Sequence, residues 1–173
     1  EQGSYDMSTS DLLRAAGQSS LLLRESLSIL GGYTNNCSGR AINASNTVLN
    51  NFGSEVFGLT PSRDFTLQGF HFSGFNNAIS FAQFTTEDTQ QRIEFSNNRF
   101  TLGNGELRIQ AEAGNDTSLI LFKNNQFFAR STDGDCLVRF QGDNGPGTTV
   151  RLIAANNTLA GNIGGGDAVA SLA

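Results

Sequence analysis

A short motif recurs along this chain: an apolar strand segment runs into two small or turn-prone residues and then back to an apolar or aromatic residue. The residue pair recurs at intervals of 19, 19, 28, 27 and 32 residues. Repeats of this length are typical of stacked architectures in which each repeat contacts only its neighbours. The six pairs are Gly31-Gly32, Asn50-Asn51, Gly69-Phe70, Asn97-Asn98, Asn124-Asn125 and Asn156-Asn157.

A second strand-like segment follows a turn in most repeats and alternates apolar with polar residues. Such alternation places one face of a strand against a core and the other face in solvent. Two strand segments per repeat, joined by bends and polar loops of variable length, predict an all-β fold, a parallel β-helix or solenoid of about six rungs. The alternating segments span residues 40–44, 77–81, 106–110, 136–140 and 168–172.

The two ends of the chain differ from its repeats. Residues 1–18 are expected to cap the first rung, because a solenoid must cover its first unpaired strand edge. Within this cap, residues 10–17 carry the capping serine, helix formers and glycine of one or two helical turns. Residues 19–173 form the predicted β-helix domain. Its end, residues 168–173, is an apolar strand without a polar cap, so we expect it to stack on a like subunit or on a following domain.

The asparagine pairs have a structural interpretation. A sharp bend between two sheets often needs one residue with positive φ, which glycine and asparagine tolerate best. Stacked asparagine amides also hydrogen-bond from one rung to the next. We predict a first column made of Asn97, Asn124 and Asn156, extended by Gly31, Asn50 and Gly69, and a second column made of Asn98, Asn125 and Asn157.

Composition limits the partners of this chain. The net charge of -5 argues against nucleic acid and anionic membrane surfaces, which require basic patches. No apolar run approaches the roughly 20 residues of a membrane span. Asparagine, glycine, serine and threonine are abundant and Lys123 is the single lysine. This composition favours a secreted or cell-surface protein.

The cysteines Cys37 and Cys136 lie 99 residues apart. If rungs rise about 4.8 Å each, cysteines on the first and fifth rungs exceed the separation that a disulfide bridges. We expect them to be unpaired, and a loop at Cys37 that folds back is the alternative. Two cysteines and one histidine make no zinc site without several carboxylates, and we predict no cofactor.

The stretch from Ser26 to Tyr33, together with Cys37, Arg40 and the segment Thr47-Val48-Leu49, resembles the first coils of secreted bacterial cell-surface proteins in the right-handed parallel β-helix superfamily. Pectate lyases and polygalacturonases share this fold. The resemblance covers roughly residues 20–173. It implies the fold and leaves activity open, because one fold hosts many functions.

The catalytic residues of these enzymes do not carry over onto this chain. The lyases use acidic residues that bind Ca²⁺ with lysine and arginine nearby, whereas this chain has one lysine. The polygalacturonases use clustered aspartates and a Gly-His-Gly segment, whereas His71 lies between Phe70 and Phe72. We expect the two phenylalanines to point inward and His71 to be an exposed strand residue rather than a base.

One acidic segment offers a candidate ligand site. Asp133, Asp135 and Asp143 carry oxygens that suit Ca²⁺, although a tight turn before a strand is the favoured interpretation. With Arg139 they are the candidate residues for binding a glycan. We therefore predict a non-catalytic structural or adhesive protein, with like subunits or a following domain as partners. The alternative is a carbohydrate-binding or polysaccharide-degrading β-helix with extracellular polysaccharide as its partner.

Overall fold

The computed structural model describes the chain in segments that are rich in β-strands. The described residues are 3–6, 21–23, 26–34, 36–50, 57–61, 64–75, 79–84, 91–102, 107–112, 117–130, 138–142, 149–162 and 170–172. Within these residues the regular structure is entirely β-strand. The strands are β1 Gly3–Asp6, β2 Leu21–Leu23, β3 Leu27–Leu30, β4 Thr47–Asn50, β5 Phe57–Pro61, β6 Phe65–Gln68, β7 His71–Phe75, β8 Ile79–Phe84, β9 Gln91–Ser96, β10 Arg99–Leu102, β11 Leu107–Glu112, β12 Thr117–Lys123, β13 Gln126–Arg130, β14 Val138–Gly142, β15 Thr149–Ala155, β16 Thr158–Asn162 and β17 Ala170–Leu172.

The strands form three sheets, and each sheet takes every third strand of the chain. Sheet A has the order β1-β4-β7-β10-β13-β16, sheet B the order β17-β14-β11-β8-β5-β2, and sheet C the order β15-β12-β9-β6-β3. Neighbouring strands are parallel in every pair, as in β12 with β15 and β10 with β13. The predicted all-β class with parallel strands is therefore confirmed for the described residues.

The bend between sheet C and sheet A is the most regular feature of the chain. The last residues of the sheet C strands, Leu30, Gln68, Ser96, Lys123 and Ala155, occupy one register row. Two residues follow each of these strands, and we call them the first and second bend positions. In four repeats the sheet A strand begins directly after the second bend position. In the first repeat residues 33–46 lie between the second bend position, Gly32, and β4.

Phenylalanine fills the interior because alternate residues of each strand point inward. In sheet A, the rings of Phe72 and Phe100 stack with centroids 5.1 Å apart and an interplanar angle of 8°. Phe127 continues the column, with its centroid 5.7 Å from that of Phe100. In sheet C, Phe95 and Phe122 are neighbours in register and are buried. The aromatic contacts thus run from strand to strand within sheets A and C.

The motif copy at Val48-Leu49-Asn50 is not equivalent to the others, contrary to the sequence prediction. The strands that lead into the other bends belong to sheet C, whereas β4 belongs to sheet A. Val48 pairs with His71, which lies after a bend. The two 19-residue intervals therefore belong to one repeat, and an inserted loop produces the extra copy.

Two further predictions for the first repeats are wrong because of the same inserted loop. Asn50 is not a member of the first asparagine column, because it pairs with Asp6 in sheet A. Residues 40–44 form no strand: Arg40 makes an isolated antiparallel bridge to Tyr33, and a turn follows. The other four alternating segments overlap β8, β11, β14 and β17.

The N-terminal segment contributes a strand. Residues 3–6 form β1, which pairs with β4 at an edge of sheet A. The helical turns predicted over residues 10–17 lie outside the described residues.

Candidate functional site

The first bend position requires a left-handed backbone in four of the five repeats. Asn97, Asn124 and Asn156 have φ of 55°, 53° and 54°, and Gly69 has a φ of 81°. An L-residue rarely adopts this region, but asparagine and glycine tolerate it. Glycine and asparagine at this position therefore follow from the turn itself.

The second bend position holds a ladder of amide hydrogen bonds. Asn125 Oδ1 accepts the backbone N–H of Asn98 at 3.0 Å and lies 3.2 Å from Asn98 Nδ2. Asn157 Oδ1 accepts the backbone N–H of Asn125 at 2.9 Å and lies 3.2 Å from Asn125 Nδ2. Each carboxamide thus reaches back to the preceding repeat.

The same carboxamides also satisfy a carbonyl in the preceding sheet C strand. Asn98 Nδ2 donates to the carbonyl of Leu67, Asn125 Nδ2 to that of Phe95, and Asn157 Nδ2 to that of Phe122. In each case the carbonyl lies three residues before the second bend position. Asn98 and Asn125 are both 1% exposed. These bonds give backbone donors and acceptors at the bend a hydrogen-bond partner, as buried polar groups require.

The ladder uses a different acceptor at the first repeat because Phe70 has no side-chain amide. Phe70 still donates its N–H to Asn98 Oδ1 at 3.1 Å, but its ring cannot accept the N–H of Gly32. The buried hydroxyl of Thr47 accepts that N–H instead, at 2.9 Å. Thr47 comes from the end of the loop that follows Gly32. No sequence pattern marks this role of Thr47, because it depends on how that loop folds.

Arg40 packs against the same bend from the inserted loop. Its Nε donates to the carbonyl of Gly31 at 2.9 Å, and its guanidinium lies 5.4 Å from the centroid of the Tyr33 ring. Its Nη2 is buried without a hydrogen-bond partner among the described residues. The loop therefore places the Arg40 guanidinium against the first bend.

A polar cluster lies on the outer face of sheet A. His71 Nε2 lies 2.9 Å from Thr101 Oγ1, and Arg99 is the register partner of His71. Burial, together with the positive charge of Arg99, lowers the pKa of His71 below its ordinary value of 6.5. The neutral imidazole is therefore the predominant form at pH 7. Phe70 and Phe72 point inward as expected, and His71 is half-buried rather than fully exposed.

Arg99 continues this outer face toward the next strand. Its guanidinium lies 5.1 Å from the centroid of the half-buried Phe128 ring. Its Nε is buried without a hydrogen-bond partner within the described part of the chain. The cation–π contact compensates part of this loss.

The outer face of sheet C carries charges of both signs. The exposed Arg92 forms an ion pair with Glu94 at 2.6 Å. Arg151 is exposed two strands away, at the register position that Leu119 and Arg92 share. Lys123 is half-buried at the end of β12. This surface is more cationic than the chain as a whole.

The residues predicted to bind a glycan are only partly placed by the structure. Asp133, Asp135 and Asp143 lie outside the described residues. Arg139 lies in β14, where its register partners are Arg108 and Ser171. The two arginines therefore occupy one register row of sheet B, and the strand register is what identifies them as neighbours.

The described residues include only part of the candidate metal and disulfide chemistry. Cys37 is an exposed free thiol in the loop that follows Tyr33, and Cys136 lies outside the described residues. Among the residues that the structure describes, no group of three or more histidine, cysteine, aspartate or glutamate side chains is placed to hold a metal ion. Nor does this part of the chain include a helix long and apolar enough to cross a membrane.

No protein-family model, curated protein or solved structure matches this chain.

Proposed function

We propose that this chain is a parallel β-helix with a non-catalytic structural or adhesive function at the cell surface or in secreted form. The observation that carries the proposal is the strand order, in which the chain visits three parallel sheets in turn and returns in register. Such an arrangement builds a column whose repeats contact their neighbours. Its function is then to display outer sheet faces on a rigid core.

The interior supports this interpretation through what its polar groups do. The buried carboxamides of Asn98 and Asn125 bond to backbone groups of the preceding repeat. The column Phe72, Phe100 and Phe127 fills the space behind sheet A. Both sets of side chains bind one repeat to the next, which is consistent with a structural function.

A polysaccharide-binding or polysaccharide-degrading β-helix is the second candidate. It is favoured by the juxtaposition of Arg108 and Arg139 on neighbouring strands of sheet B. Two like charges in direct register destabilise a sheet unless an anion or carboxylate lies close by. Asp133, Asp135 and Asp143 belong to the same proposed site.

One experiment separates the non-catalytic function from polysaccharide degradation. Beads that carry the purified chain are incubated with acidic and neutral polysaccharides, and both adhesion and the release of new sugar chain ends are measured. The structural or adhesive proposal expects no release of chain ends, whereas a polysaccharide-degrading β-helix releases them. Product release that is lost in a variant with Asp133, Asp135 and Asp143 changed to Asn would overturn the structural or adhesive proposal.

A charge variant of sheet B and a control in sheet C test the arginine row. The double variant Arg108→Gln with Arg139→Gln should weaken attachment to an acidic polysaccharide if sheet B is the binding surface. Arg151→Gln removes an exposed arginine from sheet C and serves as the control. Equal loss in both would indicate a nonspecific charge effect and would remove the sheet B site from the proposal.

A further inference from the structure

The amide ladder has a direction, and within the described residues it ends at an edge that no further carboxamide follows. At Phe70, Asn98 and Asn125, the N–H at the second bend position is bonded by a carboxamide from the following repeat. The same carboxamide donates to a carbonyl three residues before that position. The ladder therefore binds its next member through one donor and one acceptor of the preceding backbone.

At the β15–β16 edge this pair is the N–H of Asn157 and the carbonyl of Ala154. The register makes them equivalent to the Asn125 N–H and the Phe122 carbonyl, which hold the Asn157 carboxamide. β15 and β16 are the outermost strands of sheets C and A within the described residues. Both groups are therefore oriented toward a further carboxamide.

The apolar side chains at this edge are also less covered than their equivalents. Leu152 and Leu159 are half-buried, whereas their register partners Ile120 and Phe127 are 1% and 0% exposed. A further strand pair that continues the β12–β15 and β13–β16 pairing would cover both leucines. Uncovered parallel edges of this kind accept added strands by backbone hydrogen bonding.

We propose that the β15–β16 edge binds a further strand–bend–strand segment that carries asparagine at its second bend position. The inference rests on the proposed β-helix function and deepens it by naming the partner's chemistry. The pattern expected of the segment is an apolar residue three before the asparagine and an apolar or aromatic residue two after it. Phe122, Asn125 and Phe127 show this pattern within the chain.

A second copy of this chain does not supply that chemistry through its β3 edge. Its residue at the second bend position is Gly32, which has no carboxamide to offer. A side chain there is excluded as well, because a Cβ on Gly32 would lie 2.2 Å from the Ala41 carbonyl oxygen. The Asn157 N–H and the Ala154 carbonyl would both stay unpaired in such a stack, and burying them without partners is unfavourable.

The test uses the full chain and a synthetic peptide with the sequence of residues 117–130, which holds one complete bend. Fluorescence anisotropy of the labelled peptide should show saturable binding, with the Asn125→Ala peptide weaker by about tenfold or more because two hydrogen bonds are lost. The Asn124→Gly peptide keeps the bend and should bind as the parent does. Amide exchange of Asn156 and Asn157 should slow on binding.

Variants of the chain identify the edge. Leu159→Lys should weaken peptide binding, whereas Leu30→Lys, at a 36% exposed leucine of the opposite edge, should leave it unchanged. Circular dichroism checks that each variant is folded, and the peptide series does not depend on chain variants. Equal binding of the parent and Asn125→Ala peptides, or no binding and no slowed exchange, would overturn the proposal.

Two outcomes separate this inference from the broader function. Concentration-dependent fibres that Leu159→Lys abolishes would show that a second copy occupies the edge, which overturns the choice of partner and leaves the structural function standing. Polysaccharide cleavage by the chain would overturn the proposed function, yet the peptide measurements would still report on the edge.

Discussion

The side-chain oxygen of Asn125 accepts the backbone N–H of Asn98 at 3.0 Å, across 27 residues of sequence. Asn125 Nδ2 donates at the same time to the carbonyl of Phe95 at 2.9 Å. One buried carboxamide therefore satisfies a donor and an acceptor of the preceding repeat. A side chain used in this way ties two repeats together more specifically than apolar burial does, because both bonds depend on the register.

Replacing this carboxamide should be costly. Asn125→Ala removes the side-chain hydrogen bonds to the buried Asn98 N–H and to the Phe95 carbonyl, and a buried group that loses its partner costs about 1–3 kcal/mol. We expect the free energy of unfolding to fall by about 2–4 kcal/mol in urea titrations. Gln126→Ala changes an exposed neighbour and should stay within about 0.5 kcal/mol of the parent. Similar losses in both variants would show that the ladder contributes little.

Substitutions at the first bend position should change stability through backbone strain rather than through lost hydrogen bonds. Asn124 has a φ of 53°, so Asn124→Gly should be tolerated, whereas Asn124→Val should cost about 1–2 kcal/mol. The difference between the two variants is the informative quantity, because both remove the same amide. Thermal unfolding followed by circular dichroism provides the measurement. A valine variant as stable as the glycine variant would contradict the left-handed turn.

Glycine at the first repeat is required by close approach of the backbone. A Cβ at Gly32 would lie 2.2 Å from the Ala41 carbonyl oxygen, and its φ of 83° is unfavourable for other residues. Gly32→Ala should therefore lower the unfolding midpoint substantially and displace the loop that carries Thr47. Gly39→Ala is the matched control, since its nearest contact is the Thr34 methyl at 3.7 Å. Unfolding midpoints that match for the two variants would exclude this steric argument.

The sequence predicted the bend well because its demands are local. A left-handed turn between two strands restricts the residue to asparagine or glycine, so Gly69, Asn97, Asn124 and Asn156 are recognisable without a structure. The alternating apolar pattern likewise reports inward and outward faces of individual strands. These features require no knowledge of which strands are neighbours.

The first repeat was predicted poorly because its features depend on tertiary contacts. The segment around Val48 has the same apolar pattern as a sheet C strand, but pairing with β1 and β7 places it in sheet A. Thr47 accepts the Gly32 N–H only because the loop between them folds back. The pairing of Arg108 with Arg139 similarly follows from strand register across a variable loop.

The phenylalanine column should contribute strongly to stability. Phe100 is fully buried between Phe72 and Phe127, with ring centroids 5.1 and 5.7 Å away. Phe100→Ala opens a cavity in the middle of the column and should cost about 3–5 kcal/mol. Phe100→Leu keeps most of the volume and should cost less than half of that. A small loss in the alanine variant would mean that the neighbouring rings close the cavity.

The cluster on sheet A should make stability depend on pH. Because the pKa of His71 in the folded chain lies below its ordinary value of 6.5, the unfolded chain takes up the proton first as the pH falls. The stabilising contribution of the neutral imidazole is complete above pH 6.5 and is lost as the pH falls through the folded pKa.

Val48 and Arg99 are its register partners on the two adjacent strands, so no carboxylate at these positions offsets the new charge. Urea unfolding at pH 8 and at stepwise lower pH should show this loss in the parent, and His71→Gln should remove that part of the pH dependence. Glu94→Gln, in sheet C, is the control that should retain it. An unchanged pH profile in His71→Gln would mean that another group carries the proton.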